Sequence, residues 1–192
     1  MTESEVLAIL RRTGVFREGH FRLTSGKHSD LYLQCAQLFQ YPEEGGRVGA
    51  ALAGLFTDQP VDTVIGPALG GIIVAYEVAR ALGVRALFAE RENGAMTLRR
   101  GFTLRAGERV LVVEDVLTTG GSVREVMDVV RQHGAVPVAV GALVDRSGGR
   151  VRFEVPHRVL VSLTSNIYDP EDCPLCRRGL PVVKPGSRPV EG

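Results

Sequence analysis

Lysine is nearly missing from this chain: Lys27 and Lys184 are the only two, and arginine carries almost all the positive charge. A lone lysine inside a polar turn is therefore a candidate contact for an anionic ligand. An excess of either charge is missing too. The 23 Lys plus Arg against 22 Asp plus Glu leave a net charge of +1, which removes the electrostatic basis for general nucleic-acid binding. Any anion site must be local. No apolar run approaches the roughly 18 residues that a membrane span needs. The opening MTESEVLAILRRTG carries acids where a secretory leader would carry bases, so a cytoplasmic protein without a membrane partner is expected. Cysteine is scarce: three thiols cannot all pair within one chain, and 192 residues can bury a core without disulfide staples. Internal repeats and low-complexity tracts are absent. What remains, 44% hydrophobic and 23% charged residues, describes one soluble globular domain with at most a small appendage.

Thr2 and Glu5 form a capping box ahead of Val6, Leu7 and Leu10, which predicts a short amphipathic helix ending near Gly14. A polar turn from Phe21 to Asp30 leads into a possible strand at Leu31–Leu33. A second helix is expected from about Glu43 to Phe56, with Val48, Ala51, Leu52 and Leu55 as its buried stripe. From Val61 the pattern becomes strand, loop, helix, repeated: strands at Val61–Ile65, Val84–Ala89, Val110–Val113, Val136–Val144 and Val159–Leu163, with helices Ile72–Leu82 and one built on Val123, Val126, Met127 and Val130. This is an α/β grammar of a mostly parallel sheet flanked by helices. In such sheets ligands bind beyond the carboxyl ends of the strands, so the loops Gly66–Gly71, Glu114–Ser122 and Asp145–Arg146 should share one edge.

The most informative string is Val110 to Ser122. A hydrophobic strand delivers Glu114 and Asp115 to its end, and after Val116 and Leu117 come Thr118, Thr119, Gly120, Gly121 and Ser122, opening a helix. Small residues let the backbone wrap an anion, and the unpaired N–H groups of the first helical turn donate to it. No lysine follows the glycines as in a Walker loop, and no G-x-G-x-x-G is present. Two acids beside a phosphate repel it unless they accept from hydroxyls or act through a cation, and a ribose 5-phosphate meets both demands. The plainer alternative is a solvated loop with Ser122 as helix N-cap.

This segment resembles the phosphoribosyl-diphosphate (PRPP) motif of the type I phosphoribosyltransferases, and Gly66-Pro67-Ala68-Leu69-Gly70-Gly71 is similar to their diphosphate loop. Phe21-x-Leu23-x-Ser25-Gly26-Lys27-x-Ser29 and Asp145-Arg146 resemble the orotate branch of that family. The resemblance covers about Phe21 to Leu163. It implies a hood segment and N-terminal helix in residues 1–40, a phosphoribosyltransferase core in 41–165, and a Pro-rich tail carrying Cys-Pro-Leu-Cys in 166–192. It also implies transfer of ribose 5-phosphate from PRPP to orotate through an oxocarbenium-like transition state, with Mg²⁺ carried mainly by PRPP, and a homodimer whose lid reaches a neighbouring site. By the same resemblance Thr118 to Ser122 hold the 5-phosphate and Glu114 and Asp115 the ribose hydroxyls, Ala68, Leu69 and Gly70 serve the diphosphate, and Arg146, Thr118 and Lys27 meet orotate. A purine-base transferase and a non-catalytic PRPP-sensing regulator are the alternatives.

Two departures from the family pattern matter. Leu69-Gly70 stands where many orotate enzymes carry a lysine, and the lid between Arg91 and Phe102 lacks their lysines and histidine. Arg91, Arg99 and Arg100 are left as the lid's catalytic candidates; the alternative is a solvated hairpin. Cys173-Pro174-Leu175-Cys176 looks like half a zinc ribbon. A tetrahedral site needs four ligands, and the nearest spare candidates are Cys35, His157 and ligands from a second subunit, so no metal residues are assigned and reduced thiols or a reversible disulfide remain open.

Overall fold

The Thr2 hydroxyl accepts from the Glu5 backbone N–H while the Glu5 carboxylate accepts from that of Thr2, and this reciprocal box starts α1 (Glu3–Arg12). In the computed structural model, which describes residues 1–23, 25–164 and 166–185, α1 leads into a hairpin of β1 (Phe16–Arg22) and β2 (His28–Leu33). Thr24, within the polar turn, lies outside the described residues. A 3₁₀ turn (Cys35–Gln40) and α2 (Pro42–Gly54) follow, then β3 (Thr63–Pro67), α3 (Gly70–Leu82), β4 (Arg85–Glu92), β5 (Ala95–Leu98), β6 (Arg109–Leu117), α4 (Gly121–Gln132), β7 (Val136–Asp145) and β8 (His157–Ser162). The chain closes with β9 (Ile167–Tyr168), a 3₁₀ turn (Pro170–Asp172) and the one-turn α5 (Pro174–Arg177).

Six strands form the central sheet in the order β5-β4-β3-β6-β7-β8, parallel throughout except for the β4–β5 hairpin. The alternation along β6 explains why both faces are covered. Leu111 and Val113 point into a core shared with Val6, Ile9, Leu10, Leu52, Val74 and Val78 of α1, α2 and α3, whereas Val110 and Val112 pack against Val123, Val126, Met127 and Val130 of α4. Gly83, in the left-handed region at φ 70°, ends α3 as expected from the sequence. A second, three-stranded sheet, β1-β2-β9, stands apart as a hood.

Two expectations, on α2 and on the tail, are corrected, and two stretches take a form that the sequence left open. Residues 16–22 form a strand that the sequence does not announce, because its burial does not alternate. In α2 the buried face runs through Gly45, Gly46, Val48, Gly49, Leu52 and Ala53, with Ala51 and Leu55 only half-buried. The cause is close helix packing: a Cβ on Gly49 would lie 2.5 Å from Glu77 Cβ on α3, so glycine is needed for α2 and α3 to approach. The long polar connection after Ala89 is largely ordered as β4–β5, turned by Asn93 (φ 51°) and Gly94 (φ 86°). The tail carries β9 and α5, and Val183 bridges to Phe21 of β1. No helix among the described residues is long and apolar enough to cross a membrane.

Candidate active site

The three loops meet at the carboxyl end of the sheet. The Ala68 N–H donates to Ala89 O at 2.7 Å, and the Arg146 N–H donates to Leu117 O at 2.8 Å, which seats Asp145-Arg146 beside the end of β6. Gly70 sits against Asp115 so closely that a Cβ there would fall 2.4 Å from Asp115 Oδ2. Only glycine permits that contact, and it brings the first loop onto the acid pair of the second.

At the start of α4 the N-cap is Gly120, left-handed at φ 74° and without a side-chain cap, so the reading of Ser122 as N-cap is not upheld. The first backbone N–H of α4 to reach a carbonyl is that of Arg124, on Gly120 O; the amide of Gly121 finds only Thr119 Oγ1, at 3.4 Å. These amides surround a nook of about 40 Å³ lined by Glu114, Val116 to Val123 and their backbone, with the helix dipole directed into it. Arg124 holds the loop from behind, donating to Thr119 O (2.7 Å) and Arg152 O (2.9 Å) while its guanidinium lies 5.1 Å above the Phe153 ring.

Thr118 belongs to both this nook and a much larger cavity of about 1020 Å³. Arg17, Arg22 and Arg146 line the large cavity with Ser25, Tyr32 and Gln34, and none of these three arginines has a carboxylate within ion-pair distance among the described residues. Three guanidiniums without a carboxylate around one space give the cavity a positive wall that suits an anionic ligand. Arg17 and Arg22 escape sequence reasoning. Their spacing of five would place them on opposite faces of a regular strand, but β1 carries a register shift between Glu18 and Phe21 that restores them to one wall. Arg17 pairs across the hairpin with Tyr32.

The remaining sequence candidates are distributed differently. Lys27 pairs with Asp169 at 3.1 Å and does not line the cavity. Arg91 bridges to Glu125 on α4 (2.8 Å), Arg99 to Glu92 (3.1 Å), and Arg100 grips Glu90 with two bonds of 2.9 and 3.0 Å. The hairpin arginines thus rest on their own neighbours, beside the site. The Ala68–Leu69 peptide is cis, and the Leu69 side chain is exposed.

Burial, and after it the charge of Asp115, raise the Glu114 carboxyl well above the usual carboxylate range. Folding therefore favours its protonated form, and the stability gained is full below the ordinary value of 4.5 and is lost as pH rises toward the raised value. Glu114→Gln should accordingly raise the melting temperature of the ligand-free protein by on the order of 5 °C at neutral pH. The gain should vanish as the pH falls through the ordinary carboxyl range. A gain of equal size at every pH in a calorimetric series would contradict this origin.

Comparison with known proteins decides the family. Residues 34–176 match the model of the phosphoribosyl transferase domain. The orotate phosphoribosyltransferase of Thermotoga maritima is 58% identical over 180 residues, 94% of this chain and 96% of that protein. This chain belongs to the orotate phosphoribosyltransferase family. The enzyme of that name from Pelotomaculum thermopropionicum is 57% identical over 99% of this chain and its own full length. Among solved structures, Mycobacterium tuberculosis orotate phosphoribosyltransferase in complex with inorganic phosphate matches with a TM-score of 0.69 at 25% identity, covering 84% of this chain and 95% of that one. The α/β sheet with its flanking helices is that family's fold.

Proposed function

We propose that this enzyme transfers ribose 5-phosphate from PRPP to N1 of orotate, releasing diphosphate and giving orotidine 5′-monophosphate for pyrimidine nucleotide synthesis. The observation that carries the reading is the junction at Thr118, which lines both a nook of free helix amides and a cavity edged by three guanidiniums. A sugar phosphate seated with its 5-phosphate on Thr118 to Ser122 turns its ribose hydroxyls toward Glu114 and Asp115. The Asp115 carboxylate accepts from them, and so does the carbonyl oxygen of the Glu114 carboxyl, which is protonated in the ligand-free protein. The diphosphate then extends toward Ala68, Leu69 and Gly70, and orotate occupies the cavity with its carboxylate and ring carbonyls on Arg146. Breaking the bond to a leaving diphosphate creates cationic character on the sugar, so catalysis rests on positioning and charge rather than on a protein nucleophile.

Mg²⁺ enters this reading with PRPP. Glu114 and Asp115 are adjacent hard oxygen donors, and among the described residues no third His, Cys, Asp or Glu completes a cage with them. They fit an ion whose other ligands are sugar-phosphate oxygens and water. When bound, it supplies charge neutralisation to the diphosphate.

A purine base is the second reading, and the unneutralised arginines argue against it, because purine bases are neutral whereas orotate brings a carboxylate. The test is diphosphate release from PRPP and Mg²⁺ with orotate, uracil, hypoxanthine, xanthine or adenine in turn. Release with orotate alone is expected; release with a purine would transfer the assignment.

The lid and the oligomer belong together in this reading. Leu69, Ile73 and Tyr76 expose an apolar stripe along the start of α3, which supports a homodimer. Arg91, Arg99 and Arg100 on the β4–β5 hairpin would leave their carboxylates to close over the diphosphate of the neighbouring site. Mixing an inactive lid variant (Arg99→Ala, Arg100→Ala) with an inactive Asp115 variant should then restore about a quarter of the wild-type activity, since half of the mixed dimers' sites are intact. No recovery would place each lid over its own site.

A further inference from the structure

The hood is held by something the transferase reaction does not use. His20 on β1, His28 on β2 and the two cysteines of the tail, Cys173 and Cys176, bring one ligand atom each into a cluster whose members all lie within 4.8 Å of one another. The spare candidates that the sequence offered beside the Cys-x-x-Cys pair, Cys35 and His157, are not in the cluster, and the β1–β2 hairpin supplies a histidine pair instead.

The distances have the form of a coordination shell. Cys173 Sγ lies 3.5 Å and Cys176 Sγ 3.7 Å from His20 Nε2, Cys176 Sγ lies 3.3 Å from His28 Nδ1, and the two ring nitrogens face each other at 2.9 Å. A tetrahedral zinc ion with ordinary bond lengths puts its nitrogen and sulfur ligands about 3.5 Å apart. The protonation pattern points the same way. His20 Nδ1 lies 2.8 Å from Leu180 O, a carbonyl that can only accept, so the ring proton sits on Nδ1 and the lone pair of Nε2 is turned into the cluster. That arrangement, a histidine fixed by a backbone carbonyl on its far nitrogen, is how metal-bound imidazoles are oriented. His20, His28 and Cys173 are buried, with Cys176 at the surface as an entry point.

We propose that these four residues bind a structural Zn²⁺ ion as a Cys₂His₂ site, a clasp joining the hood to the tail. Two thiolates and two imidazoles without an open position suit zinc rather than a hard cation, and they leave no room for a catalytic water. The elements tied together are weak by themselves. α5 is a single turn, far below the length at which a helix is stable alone, and β9 pairs with β2 through only His28↔Tyr168 and Ser29↔Ile167. Beside the cluster the tail runs along β1, with the Arg22 N–H donating to Val183 O and the Val183 N–H to His20 O, both at 2.8 Å. The clasp therefore stiffens the strand that carries Arg17 and Arg22 to the cavity wall.

Metal analysis of the full chain, purified without chelator, should find about one zinc per chain. Replacing the zinc with Co²⁺ should give the intense visible bands and the thiolate charge-transfer absorption of a tetrahedral sulfur-ligated site. Stripping the metal should lower the melting temperature by on the order of 10 °C, restored by Zn²⁺ and not by Mg²⁺. Cys176→Ser, at the exposed edge, should lose the cobalt spectrum in a folded protein, while Cys35→Ala and His157→Gln should keep the full zinc content. Should Cys173→Ala fail to fold, the metal content and cobalt spectrum of the unaltered chain still decide. A metal-free protein with two titratable thiols, a Cys173–Cys176 disulfide in the mass spectrum, or zinc retained at full occupancy in Cys176→Ser would each overturn the proposal.

Discussion

Asp115→Asn is expected to lower kcat/KM for PRPP by about two to three orders of magnitude without lowering the melting temperature. The carboxylate is held in place by the Val116 N–H, which donates to Oδ1 at 2.7 Å, and by Gly70 against the other oxygen. Asparagine keeps the shape and can keep the bond from Val116. It replaces the remaining acceptor with a donor, aimed where the ribose hydroxyls need acceptors. Charge-assisted hydrogen bonds are worth about 1.5–3 kcal/mol each, and losing one while misplacing another accounts for the expected factor. Stability should hold or rise, because the change removes a charge beside the half-buried Glu114. Isothermal titration with PRPP and steady-state kinetics on the same preparation check both halves. Unchanged kinetics would remove Asp115 from the site. Gly70→Ala makes the companion case, since its Cβ would collide with the same carboxylate, and it should fail in the same direction with Asp115 still present.

The parts of this molecule that were legible in its sequence are those encoded over short distances. The nook at the start of α4 could be read because a buried strand, two acids and five small residues occupy one continuous stretch, and strand and helix each announce themselves by period. The meeting of three loops at one edge followed from the parallel sheet alone. Arg17 and Arg22 were hidden by the shift in β1, which breaks the alternation that would mark them as neighbours. The arginines of the β4–β5 hairpin were visible as a charged connection, but the carboxylates they pair with, Glu90, Glu92 and Glu125, were not. The cysteine pair of the clasp was visible and its histidines were not. His20 and Cys173 stand 153 positions apart, so only the pairing of β1 with β2 and the return of the tail bring them together. The buried face of α2 was misjudged for a related reason: glycines selected for close approach leave no hydrophobic mark.

The arginines differ in whether a carboxylate faces them. Arg109 lies on Asp62, Arg158 on Asp58 and Arg131 on Asp128 and Glu154, all at the surface, where such pairs contribute little stability and leave no charge to spare. Arg17, Arg22 and Arg146 face the cavity without such partners among the described residues. In a chain of net charge +1, three such guanidiniums around one cavity make a local excess of positive charge that the chain's overall balance does not show.

Arg146→Ala should lower kcat/KM for orotate by about two to three orders of magnitude while moving the KM for PRPP by less than about twofold. Arg146 is half-buried on the wall shared with Thr118, and its backbone N–H to Leu117 O survives any side-chain change, so the end of β6 stays in place. What disappears is a planar fork that can meet two acceptors of the base at once. Lysine should therefore rescue poorly: it restores the charge but presents a single point rather than two parallel donors. Arg17→Ala and Arg22→Ala give the contrast. They stand on the hood, across the cavity from the loop that holds Arg146, and share the ligand's charge without its geometry, so each should cost less and be partly restored by lysine. If Arg146→Ala instead weakened orotate and PRPP equally, its guanidinium would belong to the phosphate side of the site, and the division between a cradle at the helix and a base pocket beyond Thr118 would fail.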